Sequence, residues 1–277
     1  MTPGGAKSIL TAPMTTTLTI DGRPVQAGHD EMLLDVLDRI GVQVPRLCHH
    51  PALEPHGACR LCLVEQQKGG RTKIVTACDL PARAGGTFLT DTPRVRRMRR
   101  LVMELHLARC PDSPQLAQLA RRLGVRRTRL RPQSHTCILC GLCERVCREI
   151  VGARALSYAG RGTGRHITSS FGEIPDECIG CGLCSFVCPT SAIRMDEAAL
   201  ERLRRLPGSQ RPCRHALTGV YPGALCSHSY RCETCEVDQR LGEAAGTHPA
   251  LALSAGSAAR NLFGYMSRTR TRPGGRS

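Results

Sequence analysis

Two runs of four cysteines constrain this chain more than any other feature. Cys137, Cys140, Cys143 and Cys147 follow the spacing C-x2-C-x2-C-x3-C, and Cys178, Cys181, Cys184 and Cys188 repeat it, with Pro189 after the last. Cysteines this close in sequence share a metal more readily than they oxidise into a stable disulfide framework. Runs of this spacing hold cubane iron–sulfur cores, and the fourth cysteine of each run ligates the other core. The expected ligand sets are Cys137, Cys140, Cys143 and Cys188 for one [4Fe–4S] cluster, and Cys178, Cys181, Cys184 and Cys147 for a second. Ile138, Leu139, Ile179 and Val187 would shield them, and Gly141, Gly180 and Gly182 would allow tight loops. Structural zinc is the competing reading. The first run lacks the proline, with Arg148 in its place.

A second constellation lies upstream. Cys59 and Cys62 form a C-x-x-C pair, Cys48 precedes them and Cys78 follows well after. An Fe2S2 rhomb needs two thiolates per iron, and the small residues Gly57 and Ala58 let backbone N–H groups approach its sulfides. The spacing departs from the plant-type C-x4-C-x2-C…C, because ten residues separate Cys48 from Cys59. Zinc again competes. The local text suits the cluster. Residues 17–20 alternate as a strand, Asp21-Gly22 signals a hairpin, and Pro24-Val25 begins the return. Asp30 would cap a helix over residues 31–40, closed by Gly41. Strands are expected over 61–66 and 73–77, joined at Gly69-Gly70. This predicts an α+β domain of the β-grasp ferredoxin kind.

The rest is less regular. Residues 93–109 are basic and helical in period, with Val95, Met98, Val102 and Leu105 along one side, and residues 114–124 form a second helix. A last group, Cys213, Cys226, Cys232 and Cys235, has His215 and His228 nearby. It can hold a structural zinc, a further iron–sulfur cluster, or no metal. The expected organisation is a disordered leader over 1–15, a [2Fe–2S] domain over 16–92 and a helical connector over 93–135. A 2[4Fe–4S] ferredoxin domain follows over 136–206, then a small four-cysteine knuckle over 207–243 and a disordered basic tail over 244–277. Only 3% of residues are aromatic and none is Trp, so metal rather than a bulky aromatic core must organise much of this fold.

The net charge of +16 raises nucleic acid as a partner. Three oxidised clusters with their thiolates would cancel about six of those charges. The bias is almost wholly toward Arg, with Lys only at positions 7, 68 and 73, which reads as composition rather than a phosphate footprint. An iron–sulfur or zinc regulatory protein binding nucleic acid is kept as the alternative. No secretory leader pattern and no long apolar stretch is evident, so a reducing cytoplasm is expected, with attachment to the inner membrane face only through partners.

Taken together, residues 16–195 resemble the electron-input iron–sulfur module of NADH-dehydrogenase-type complexes. That family includes the large iron–sulfur subunit of complex I, the diaphorase small subunit of NAD-reducing hydrogenases, the N-terminal region of iron-only hydrogenases, and NAD-linked formate dehydrogenase subunits. The text that carries the resemblance is Val44-Pro45-Arg46-Leu47-Cys48, Gly57-Ala58-Cys59-Arg60-Leu61-Cys62, Thr76-Ala77-Cys78, residues 94–105, the two cysteine runs and Gly160-Arg161-Gly162. The resemblance implies an electron-transfer subunit in a hetero-oligomer, relaying electrons between an NAD(P)H-linked flavoprotein, hydrogenase or formate dehydrogenase partner and another acceptor. One departure stands out. The family carries a further [4Fe–4S] site on a His and three Cys, of which only His106 and Cys110 survive; Ser113 and Pro114 stand where more is expected. That site is expected to be empty, with Cys110 a remnant. His49 and His50, after Cys48, either tune that cluster or are solvated. Gly160-x-Gly162-x-Gly164 lacks the strand-into-helix context of a dinucleotide loop, and no catalytic residues are evident, so the chain is not expected to bind NAD(H) or flavin itself.

Overall fold

The computed structural model describes residues 14–169, 172–173, 175–193 and 197–255. The leader expected over 1–15 and the end of the expected tail therefore fall mostly outside the described residues.

The first domain is a five-stranded mixed sheet with one helix against it. β1 (Thr15–Ile20) and β2 (Arg23–Gly28) form a hairpin, with Asp21 and Gly22 both in the left-handed region that such a turn requires. β3 (Leu63–Lys68) and β4 (Arg71–Thr76) form a second hairpin through Gly69 and Gly70. The two are joined by β5 (Thr87–Leu89), giving the order β2-β1-β5-β3-β4, with β1 and β5 parallel and every other pair antiparallel. Sequence reading misses β5. Three residues carry too little alternation to announce a strand, and it exists because Phe88 inserts between Ile20 and Gln66 in register. Helix α1 (Leu33–Arg39) buries Leu33, Leu34, Val36 and Leu37 against Leu18, Ile20, Val64 and Phe88. It starts later than expected, because Met32 bridges Pro81 and the Leu33 N–H donates to the Leu80 carbonyl at 2.8 Å. Asp30 does not cap it; it pairs with Arg83.

The connector is α2 (Pro93–Arg109) and α3 (Pro114–Arg122). Thr92 caps the first, accepting from the Val95 N–H at 3.1 Å. The buried face of α2 differs from the expected stripe. Val95, Arg99, Met103, Leu107 and Ala108 face inward, while Met98 and Leu105 are 37% and 53% exposed. The helix is turned this way because Arg99 enters the core and donates from Nη2 to the Leu63 carbonyl at 2.5 Å. Ser113 caps α3, accepting from the Leu116 N–H at 3.4 Å.

The remainder is mostly loop organised around cysteines. It contains α4 (Leu142–Arg145), which continues into a wider helical turn over Val146–Ile150, and a two-stranded ribbon of β6 (Ser157–Ala159) and β7 (His166–Thr168). Then come α5 (Leu183–Phe186), α6 (Glu197–Arg204), α7 (Arg214–Leu217), α8 (Glu236–Ala245) and α9 (Pro249–Ala255). The last two correct the expectation of disorder from Ala244. Ala250 and Leu251 are each 1% exposed and belong to the large second core. Small residues in that stretch are there to fit, not to fray. The second core is continuous across domain boundaries. It takes in Cys48, Cys59 and Leu61 of the first domain, Met103 and Leu107 of α2, Leu116 of α3, and Ile138, Leu142, Val146 and Leu183 of the cysteine-rich region. Among the described residues no helix is long and apolar enough to cross a membrane.

Candidate metal centres

The first centre is formed by the loop before β3 and the turn after β4. Cys48, Cys59, Cys62 and Cys78 are all buried, at 1–3% exposure. The loop is held by backbone donors to sulfur. The Cys59 N–H meets Cys48 Sγ at 3.2 Å, and the Leu47 N–H meets Cys59 Sγ at 3.4 Å. Gly57 has φ +66°, and a Cβ there would lie 2.4 Å from Asp79 Oδ2, so any larger residue would strain the backbone and displace Asp79. Arg60 is also left-handed, at φ 54°. The four thiols are close enough to exchange protons. Contact with Cys59, and then with Cys78, pushes Cys48 down to about 2, and contact with Cys78 pushes Cys62 down to about 7. Cys48 in turn pushes both Cys59 and Cys78 up. Four buried thiols so placed can all become thiolates only around a cationic core, which is what an iron–sulfide group supplies.

His49 is not solvated. Its side chain is 8% exposed and Nε2 lies 3.7 Å from Asp35 Oδ1. Burial pushes the imidazole toward the neutral form. Arg99 is a further group that sequence reading passes over. It is 6% exposed, its Nε has no partner, and its charge faces Asp91, Cys62 and Asp21.

The second and third centres are built by the two matched runs. Gly141 and Gly182 each have φ +78° and each starts a four-residue helix, α4 and α5, so the two halves repeat one local geometry. The electrostatic neighbours of each thiol follow the crossed sets. Cys137, Cys140 and Cys143 face Cys188, and Cys181 and Cys184 face Cys147 and Cys178. Backbone donors again point at sulfur: Leu139 N–H to Cys137 at 3.3 Å, Ala155 N–H to Cys147 at 3.2 Å, and Ala192 N–H to Cys188 at 3.2 Å. Burial pushes Cys140 and Cys181 up to about 12. Burial would also raise Cys188, but backbone donors at Thr190, Ile193 and Ala192 and the Thr190 hydroxyl hold it below its ordinary value. Thiols this hard to ionise call for a metal core to compensate the charge.

Three side chains tie the first centre to the second. His106 Nε2 lies 2.9 Å from the Cys59 carbonyl, and Arg109 Nε, one turn on, donates to the Cys137 carbonyl at 2.7 Å. Arg145, 2% exposed, donates from Nη1 to the Cys48 carbonyl at 3.4 Å and from Nη2 to the Glu54 carbonyl, and pairs through Nε with Glu149 at 3.3 Å. Neither arginine is legible in a sequence where basic residues are everywhere. Of the eroded His-Cys site, His106 bonds Cys59, Ser113 caps α3, and Cys110 is 1% exposed beside Cys137 and Cys188.

The last cysteine group also converges. An isolated bridge pairs Pro212 with Leu225; the Cys213 N–H donates to the Ala224 carbonyl and the Cys226 N–H to the Arg211 carbonyl, both at 2.8 Å. A tight turn over Cys232–Thr234 brings in Cys232 and Cys235. All four cysteines line one cavity of about 50 Å³ with Arg214, His215 and Tyr230. His228 lines it too, but its Nδ1 bonds the Ser227 hydroxyl at 2.9 Å.

Comparison with known proteins bears on the two cluster-binding domains. Residues 14–93 match the 2Fe-2S iron-sulfur cluster binding domain family, and residues 173–194 match the 4Fe-4S binding domain family. The chain is 31% identical over 202 residues to NADPH-Fe(3+) oxidoreductase subunit alpha of Geobacter sulfurreducens, a match covering 64% of this chain and 24% of that protein. It is 32% identical over 190 residues to the mitochondrial NADH dehydrogenase (ubiquinone) iron-sulfur protein 1 of Solanum tuberosum, covering 59% of this chain and 26% of that protein. It thus spans about a quarter of the length of these curated relatives. Among solved structures it is similar to a chain of an NAD+-reducing [NiFe]-hydrogenase in the H2-reduced state. That match has a TM-score of 0.57 and 27% identity, and covers 70% of this chain and 92% of the other. The chain is an iron–sulfur protein homologous to subunits of the NADH-dehydrogenase and NAD-reducing-hydrogenase type, carrying a [2Fe–2S]-binding domain followed by a [4Fe–4S]-binding domain.

Proposed function

We propose that the chain is an electron-transfer subunit of a multi-subunit oxidoreductase, with three resident clusters. Cys48, Cys59, Cys62 and Cys78 hold a [2Fe–2S] cluster in a β-grasp domain. Cys137, Cys140, Cys143 and Cys188 hold one [4Fe–4S] cluster, and Cys178, Cys181, Cys184 and Cys147 a second. Each such group takes up and releases single electrons, at roughly −400 mV for the plant-type centre. The protein's own part is to bind, insulate and fix. Buried Leu61, Met103, Ile138, Leu142 and Leu183 keep water out. The N–H···Sγ bonds and the Arg99 and Arg145 charges stabilise the reduced, more negative state.

The observation that carries the proposal is the gathering of twelve cysteines into three sets of four, the first set bridging the two cores, with Cys62 and Cys78 in the core of the sheet domain and Cys48 and Cys59 in the second core beside Cys140. The His106, Arg109 and Arg145 ties make the first two sets direct neighbours, so we place the [2Fe–2S] centre in line rather than on a branch. The His106–Cys110 site holds no cluster in this reading, because His106 and Ser113 already have other partners. The donor and acceptor are proposed from the relatives: an NAD(P)H-oxidising flavoprotein, a hydrogenase or a formate dehydrogenase at one end. The face bearing Arg96, Arg97 and Arg100, with exposed Leu101, suits an acidic partner surface.

Anaerobic isolation tests the proposal. Iron and acid-labile sulfide of at least about ten atoms each per chain are expected. Dithionite should bring up paramagnetic signals of both cluster types, and an oxidoreductase subunit should co-purify. Colourless protein without labile sulfide refutes it.

A further inference from the structure

We infer that Cys213, Cys226, Cys232 and Cys235 hold a fourth iron–sulfur core, of the [4Fe–4S] class, rather than a structural zinc. Three observations at this site point the same way.

The first is size. Zinc held by four thiolates sits at about 2.3 Å from each sulfur, so the sulfurs touch and leave no room between them. Here the four cysteines all line one cavity of about 50 Å³, together with side chains such as Arg214, His215 and Tyr230. Among the described residues no three His, Cys, Asp or Glu side chains converge tightly enough for a single ion.

The second is an unpartnered donor. Arg214 lines the cavity, its side chain is 15% exposed, and its Nε has no hydrogen-bond partner. Its Nη2 is taken by Asp238, which also binds His215 Nε2 at 2.6 Å. Arginine nitrogen can only donate, and a buried donor without an acceptor calls for an explanation. Inorganic sulfide supplies acceptors beyond the four thiolates, and zinc supplies none. The Tyr230 N–H on Cys226 Sγ at 3.2 Å repeats the bonding seen at the other centres. It does not by itself separate the metals, since zinc thiolates accept the same bond.

The third is position. Arg214 also borders the pocket formed by Cys181, Gly182, Ser185, Phe186 and His248. His248 Nε2 donates to the Cys181 carbonyl at 3.3 Å, with its Nδ1 accepting from the Ala250 N–H at 3.3 Å. Its ring centroid lies 5.5 Å from that of Phe186 and 6.4 Å from that of His215, two residues past Cys213. A run of polarisable rings therefore connects a ligand of the third centre to the wall of this cavity. A core held by the last four cysteines would extend the relay, accepting single electrons from one held by Cys147, Cys178, Cys181 and Cys184. No bond breaks and no proton moves. That role rests on the electron-transfer reading; occupancy by iron does not.

Metal analysis of the full chain, isolated anaerobically from iron-replete cells, decides the matter. About fourteen irons, matching sulfide and no stoichiometric zinc are expected. The C232S/C235S double variant should fall to about ten irons and lose one dithionite-induced paramagnetic signal, while C110A, which removes the one cysteine left at the eroded site, should stay near fourteen. Ten irons in the wild type, with or without one zinc, overturns the inference, as does loss of four irons from C110A. Should C232S/C235S not fold, the wild-type zinc content and its native mass still decide between the two metals. Failure of the twelve-cysteine reading shows separately, as fewer than about ten irons.

Discussion

The arrangement at Arg145 makes a quantitative prediction about how the two cluster domains hold together. Its side chain is 3% exposed and reaches across the domain boundary to the Cys48 and Glu54 carbonyls while pairing with Glu149. Glu149 returns the tie by accepting from the Glu54 N–H at 3.1 Å. Replacing Arg145 by Met keeps the bulk and removes the charge. It strands two carbonyls and a carboxylate that is 19% exposed. Breaking a fully buried pair costs about 3–5 kcal/mol. Here Glu149 keeps Arg148 at 3.0 Å and some solvent, so about 2–3 kcal/mol is the appropriate range. For a chain of this size that lowers the melting midpoint by roughly 4–12 °C. The assay is an anaerobic melt at fixed scan rate, followed by far-ultraviolet dichroism and by visible cluster absorbance. R145M/E149Q should be less destabilised than the sum of its single variants by at least about 1 kcal/mol, because the two groups share one network. A midpoint within about 1 °C of wild type, or full additivity, would refute Arg145 as the clamp.

Three further outcomes follow from the same geometry. Gly57→Ala forces a Cβ to within 2.4 Å of Asp79 Oδ2 at φ +66°, whereas Gly22→Ala, at φ +81°, meets nothing within 4 Å. G57A should lose about two irons and the [2Fe–2S] signal, and G22A should keep both at a cost of about 1 kcal/mol in a urea melt; equal behaviour would show that the Asp79 contact does not matter. Stripping the clusters with chelator should unfold residues 137–193, where the cysteines and a few apolar side chains are most of the core, while the sheet packed on Leu33, Leu34, Leu37 and Phe88 keeps slow amide exchange; uniform exchange throughout would contradict this. Glu31 is expected to lose its stabilising effect in acid. Burial alone would raise its carboxyl, but Arg39 at 3.1 Å and the Gly28 N–H at 3.1 Å hold it below the usual value. A depressed carboxyl stabilises above its unfolded pKa and loses that contribution as pH falls through the folded one. The gap in urea midpoint between wild type and E31Q should therefore be constant from about pH 7 to 5 and shrink progressively below about pH 4.5; a gap that persists in stronger acid argues against the pair.

How much of this is legible in the sequence depends on whether the determinant is local. The β1–β2 hairpin, α1 and the two cysteine runs are written in adjacent residues, and the sequence reads them with small errors of boundary. β5 escapes such a reading because its identity comes from β1 and β3 on either side, and the face of α2 misleads because an arginine occupies a core position. The Ala/Leu text of α9 looks like a tail until its partners in the second core are known. The arginines carry the more general lesson. Cluster-binding loops satisfy few of their own carbonyls, and a buried carbonyl without a partner is costly. Arg99 donates to Leu63, Arg109 to Cys137, Arg145 to Glu54, Arg202 to Cys178 at 2.6 Å, Arg204 to Ser229 at 3.0 Å and Arg211 to Leu206 at 2.6 Å. A guanidinium offers five donors in a rigid fork and stays charged when buried, so one side chain can both cap irregular backbone and offset anionic thiolates. The +16 charge that first suggests nucleic acid is thus partly internal scaffolding. In a chain with few aromatics, arginine on carbonyl does for the loops what side-chain packing does elsewhere.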